Sequence, residues 1–281
     1  MKKLLVKKIF LVLALILLMT NMLACSNSSL PSDDVDNSQD TDISVDTPIE
    51  KIDIMVSAAI SLTDAMEELK SIYEEENQNI NIIYNFGASG ALMQQIEEGA
   101  PVDLFLSAAQ KQMNELEEKD LIIKESRLDF VGNDLVLIVN KNHQDTIKSV
   151  NDLLNLTDEK IAMGEPESVP AGKYTADTLT SLGLYDDLLD KIVFTKNVRQ
   201  VITYVDSENA VAGFCYGSDT TIATDSVISE IVKEESHEPI IYPAAIIKDS
   251  KNPEATEDFL NFINTNEAQE IFEKHGFSRI D

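Results

Sequence analysis

Two serines, Ser61 and Ser89, each stand where a strand-like apolar run stops and an amphipathic helical period begins. The first stretch reads IMVSAAISLTDAMEELKSIYEEE (54–76) and the second INIIYNFGASGALMQQIEEGAPVDLFLSA (80–108). A serine at a helix start can offer its hydroxyl. The first-turn amides beside it are free donors at the positive end of the helix dipole. One such start is an ordinary cap, whereas two from successive strand–helix units can converge on one small anion. A third start lies in GEPESVPAGKYTADTLTSLG (164–183), where Pro170 precedes Ala171 and Gly172. A fourth candidate is the strand end FCYGSD (214–219), which turns at Gly217. In open α/β sheets such loops at the carboxyl ends of strands hold ligands.

The elements that must position these residues follow from periodicity. Strands are expected at 52–58, 80–85, 102–107, 134–140, 160–163, 191–194, 211–216 and 239–247. Helices are expected at 63–76, 90–98, 110–119, 173–182 and 198–207, with terminal helices within 254–274. This alternation predicts an α/β fold with a parallel sheet covered by helices. No internal repeat of fixed period is present.

The chain of 281 residues has room for two domains of ordinary size. With 50 acidic against 22 basic residues its formal charge is −28. That balance excludes nucleic acid as a partner, because phosphate neutralisation needs clustered Lys and Arg. It leaves room for a small anion held in a dry, donor-rich site. Residues 1–24 have the form of a signal peptide: Lys2, Lys3, Lys7 and Lys8, then an apolar run too short to span a bilayer. The sequence Met22-Leu23-Ala24-Cys25 resembles a bacterial lipoprotein signal, which places cleavage before Cys25 and lipid on its thiol. Residues 25–49, rich in Ser, Asp and Asn, read as a disordered tether to a membrane.

Taken together, the motifs resemble the molybdate-binding proteins of bacterial ABC transporters, within the type II periplasmic binding proteins. The resemblance runs from about Ile52 to Phe277 through AISLTDAM (59–66), FGASGALMQQIEEGAPVDLFLSA (86–108), GEPESVPAGKY (164–174), NVR (197–199) and YGSD (216–219). It implies a two-lobe fold that closes on ligand, with residues 50–132 and 243–281 in one lobe and 133–242 in the other. The apolar runs at 134–140 and 239–247 are expected as the two crossings. The resemblance further implies that the hydroxyls of Ser61 and Ser89, the amides of Ala171 and Val198, and the phenol of Tyr216 hold the oxyanion. Ile60 departs from the smaller residue that often precedes the first serine in this family. The implied ligand is molybdate or tungstate, with another oxyanion such as sulfate as the alternative, separated from molybdate mainly by cavity size; no cofactor and no cation-binding metal site are implied. The implied partner of this monomer is a membrane ABC permease, and its place is outside the cytoplasm, held by the lipid anchor.

A donor-only site suits a dianion that carries no proton, since an acceptor facing it would repel it. Arg199 is the one cation beside these motifs, and pairing with a carboxylate is its expected role. His143, His237 and His275 have no metal-ligand spacing. Cys215, between Phe214 and Tyr216, reads as a small buried residue. An enzyme on this scaffold would need a base beside Ser61 or Ser89, and neither motif contains one. The chain is therefore expected to bind its ligand without transforming it.

Overall fold

The computed structural model describes residues 51–280. The signal segment, Cys25 and the tether lie outside the described residues. Strand β1 (Ile52–Ala59) passes through a 3-10 turn at Ile60–Leu62 into α1 (Thr63–Glu76). There follow β2 (Ile80–Gly87), α2 (Ser89–Glu97), β3 (Leu104–Leu106), α3 (Gln110–Glu118), β4 (Leu128–Asn133) and β5 (Leu135–Asn140). Next come β6 (Ile161–Gly164), α4 (Pro170–Ser181), α5 (Tyr185–Leu188), β7 (Ile192–Thr195), α6 (Val198–Asp206) and β8 (Ala212–Tyr216). The chain ends with β9 (Ser226–Ile231), β10 (Ile240–Ile246), α7 (Pro253–Ile263) and α8 (Asn266–Lys274).

These strands build two five-stranded sheets, in the orders β2-β1-β3-β10-β4 and β7-β6-β8-β5-β9. Both are mixed, which corrects the expectation of a parallel sheet. Strand β10 runs antiparallel to β3 and β4, and β5 runs antiparallel to β8 and β9. In each sheet the reversed strand is the one arriving from the other sheet.

The two long apolar runs are interior strands, where crossings were expected. All six residues of β5 are buried, as suits a strand covered on both faces. The chain changes sheets at Asp134 and again between Ile231 and Ile240. Ile240–Tyr242 already pair with β4, so the return to the first sheet comes a few residues earlier than expected. Strands β4 and β9 had no counterpart among the expected elements. Both are sheet edges, and β9 buries little of itself.

Helix α1 shows why the site-bearing elements form where they do. It buries Ala65, Met66, Leu69 and Tyr73, the three-to-four spacing of one helical face. Asp64 in its first turn complements the dipole. The Tyr73 ring meets Phe259 of α7 edge-on at 5.0 Å, fixing α1 against α7. Pro170 opens α4, a position where its missing N–H is not needed.

Candidate functional site

The five residues expected at the site all fall at element ends where the two sheets meet. Ser61 lies in the 3-10 turn after β1, and Ser89 is the first residue of α2. Ala171 is the second residue of α4, Val198 the first of α6, and Tyr216 the last of β8. None is more than 4% exposed.

A chain of contacts joins them. Ser61 Oγ lies 2.9 Å from Tyr242 Oη, and the rings of Tyr242 and Tyr216 stand 5.8 Å apart, edge to face. Ser89 Oγ accepts a 2.9 Å hydrogen bond from the Ala108 amide, while Tyr216 Oη donates to the Ala108 carbonyl at 3.4 Å. The Gly90 amide donates to Ser168 O at 3.0 Å, tying the start of α2 to the loop that leads into α4. Helix α6 packs on the Ile60–Leu62 turn. The lobes are thus in contact. A Cβ on Gly90 would come within 2.6 Å of Ser168 O, so this approach needs glycine. Beside these contacts a cavity of about 660 Å³ opens, lined by Ala109, Gln110, Pro170, Tyr174 and His237 among others.

Neither serine acts as a helix cap, which corrects the simpler reading of both motifs. The residue before α1 is Leu62 and the one before α2 is Ala88, and neither helix start has a side-chain cap. The two hydroxyls are committed elsewhere, to Tyr242 and to Ala108. The first-turn amides of Ser89, Ala171 and Val198 have no hydrogen-bond partner among the described residues. Asn197 caps α6, but its side chain accepts from Gln200, which leaves Val198 free. Three helix starts therefore present unpaired donors next to two hydroxyls and a phenol, an arrangement that can surround a small anion.

Arg199 pairs with carboxylates, as its expected role requires. Its guanidinium lies 2.5 Å from Asp64 of α1 and 3.4 Å from Asp219, so it bridges the two lobes. Asp219 is fully buried and its Oδ2 has no partner among the described residues. Burial pushes its carboxyl up to about 7, against the pull of Arg199. Burial also raises the phenols of Tyr216 and Tyr242 well above their ordinary value, so both keep their protons.

Comparison with known proteins places the chain. The family model for bacterial extracellular solute-binding proteins matches residues 54–278. This chain belongs to the bacterial extracellular solute-binding proteins. A Bacillus subtilis protein described as an ABC transporter substrate-binding lipoprotein, YvgL, is 42% identical over 229 residues, covering 82% of this chain and 87% of that one. The molybdate-binding protein ModA of Haemophilus influenzae is 35% identical over 230 residues, covering 80% and 89%. A solved structure described as the substrate-binding domain of a molybdenum ABC transporter from Clostridium difficile is 44% identical. It superposes with a TM-score of 0.64, covering 82% of this chain and 99% of that one. The two mixed sheets are the two lobes of the type II periplasmic binding protein fold.

Sequence reasoning missed several polar residues of this solute-binding protein that touch the five or stand directly behind them. Tyr242 sits in the run PIIYPAAII, where it carries the only polar side-chain atom, and a buried phenol needs a partner. The following Pro243 also signals the bulge that β10 shows between these two residues. Asn133 ends β4 and donates to Tyr242 Oη at 3.2 Å, and Asp219 lies one turn past Tyr216. The other singled-out residues make no hydrogen bond to the five. Cys215 is buried inside β8, His275 pairs with Glu68 at 2.7 Å, and His237 lies in the link before β10. Among the described residues no group of three or more His, Cys, Asp or Glu is placed to hold a metal.

Proposed function

We propose that this protein captures molybdate, and tungstate with it, between its lobes and delivers the dianion to an ABC permease in the membrane. The observation that carries the reading is the donor set. The hydroxyls of Ser61 and Ser89 and the free amides of Ala171 and Val198 are gathered with the phenol of Tyr216, whose long 3.4 Å bond to the Ala108 carbonyl a bound oxyanion would replace, and among the described residues no free cation stands beside them. Uncharged donors at helix starts suit a tetrahedral dianion that needs no acceptor. Relatives named as molybdate-binding proteins support the choice of oxyanion.

The protein acts as a monomer without a cofactor. Cys25 carries a lipid that holds it at the outer face of the cell membrane, with residues 26–49 as a tether. The contacts of the serines favour binding over hydrolysis, since Ser61 meets a phenol and Ser89 a backbone amide. Calorimetric titration with molybdate, tungstate, sulfate and phosphate tests the proposal. Tight binding of the first two and weak binding of the others is expected; heat from sulfate or phosphate alone would reassign the ligand.

A further inference from the structure

We infer that Asn133 and Tyr242 fix the direction of the Ser61 hydroxyl, so that it only donates into the cleft and selects oxyanions that carry no proton there. This rests on the oxyanion reading of the cleft and goes one layer behind it.

The direction follows from counting hydrogens. Asn133 Oδ1 accepts the backbone N–H of Asp134 at 3.0 Å and that of Ser218 at 3.4 Å. Two backbone donors converging there identify that atom as the oxygen, which makes the other the amide nitrogen. Its two hydrogens go to Ser218 Oγ at 2.8 Å and to Tyr242 Oη at 3.2 Å. Tyr242 Oη is therefore an acceptor towards Asn133. Among the described residues its own hydrogen has one acceptor left, Ser61 Oγ at 2.9 Å. Tyr242 is completely buried, so that hydrogen cannot turn to water. Ser61 Oγ thus receives a hydrogen from behind, and its own has no acceptor among the described residues. Ser89 is set the same way by the Ala108 N–H, a donor that cannot reverse.

A deprotonated oxyanion accepts the Ser61 hydrogen and every hydrogen in the row is paired. An oxyanion that turns its own hydroxyl toward Ser61 adds one hydrogen too many. Either the serine's or the phenol's hydrogen is then orphaned in a dry interior. The direction of the row, and not its size or charge, makes this distinction.

Asn133→Asp reverses the row with almost no change in shape. The new carboxylate has no N–H and accepts from Tyr242. Tyr242 then accepts from Ser61, and Ser61 can accept a ligand hydroxyl. The readout is the preference for sulfate over hydrogen phosphate at pH 8, measured as competition against molybdate. Both competitors are then mainly dianions of similar size, and only one carries a proton. We expect this preference to fall roughly tenfold to a hundredfold in Asn133→Asp. In a Tyr242→Phe background, where the row is cut, the same substitution should leave the preference where Tyr242→Phe alone puts it. A merely structural role for Asn133 would weaken both anions together and keep their ratio.

An unchanged ratio in Asn133→Asp, or an equal shift with and without the Tyr242 hydroxyl, overturns the inference. Should Asn133→Asp fail to fold, Tyr242→Phe decides alone, and a preference equal to that of the wild type overturns it. Wild-type protein that binds no molybdate would remove the functional reading and this one with it. Molybdate binding with an unaltered ratio removes only the directed row.

Discussion

Replacing Ser89 or Ser61 with alanine should separate ligand contacts from fold contacts in a way that helix caps would not. Each hydroxyl has two duties in the proposed site. Ser89 Oγ accepts the buried Ala108 N–H at 2.9 Å, and Ser61 Oγ takes the hydrogen of buried Tyr242. Alanine leaves each of those donors unpaired, at about 1–3 kcal/mol. For a domain of this size that is a fall in Tm of about 2–4 °C per kcal/mol. The lost charge-assisted hydrogen bond to the dianion is about 1.5–3 kcal/mol more, or roughly tenfold to a hundredfold in Kd. The two effects are read in one assay, thermal melting with and without molybdate. At ligand equal to about 100 times the wild-type Kd, bound anion stabilises the protein by about 2.7 kcal/mol. A hundredfold weaker variant gains only about 0.4 kcal/mol at the same concentration. The single variants should therefore melt lower without ligand and show little further rise with it, and the double variant less still. Variants that melt lower yet keep the full molybdate-induced rise would refute the assignment of both serines to the ligand.

Gly90→Ala should weaken molybdate binding while leaving the ligand-free melting temperature level or slightly higher. Alanine is favoured over glycine in a helix by about 0.5–1 kcal/mol, but its methyl would meet Ser168 O at 2.6 Å when the lobes touch. Tight binding by this variant would show that the approach is dispensable. The raised carboxyl of Asp219 binds a proton in the folded state that the unfolded state has released, so stability should fall as pH rises from about 4 to 7. The cost above pH 7 is about 4 kcal/mol at about 1.4 kcal/mol per pH unit, and Asp219→Asn should abolish that slope in melts run across the range. Asp219 also faces Tyr216 and Tyr242 electrostatically. Molybdate affinity should accordingly drop modestly as pH rises through about 7 in the wild type and stay flat in Asp219→Asn; a flat wild-type profile contradicts this. Cys25→Ala should release the protein from membranes of its native host, and membrane fractionation that still finds the variant bound would end the lipoprotein reading.

What the sequence made legible, and what it did not, divides along a physical line. Local chemistry was readable: the helix at Thr63–Glu76 begins and ends as its apolar spacing requires, and the five candidate residues sit at element ends as their motifs require. Pairing across the molecule was not. The run DLVLIVN looks the same whether it crosses between lobes or lies at the centre of one, because burial on both faces erases the period that would tell them apart. The edge strand Leu128–Asn133 was hidden by Gly132 and Asn133, which read as a turn until a neighbouring strand pairs with them. The serines show the same limit at finer scale. Their position predicted a hydroxyl at a helix start, and a cap is the local use of one. Their actual partners, Tyr242 and the Ala108 amide, lie 181 and 19 residues away along the chain. A cap would have taken that hydrogen bond from an amide of the serine's own helix. Here partners brought from elsewhere in the chain supply the hydrogen to that oxygen, so the fold decides where the serine's own hydrogen is left to point. The direction of these two hydroxyls, on which selection of a proton-free anion depends, is thus a property of the tertiary fold.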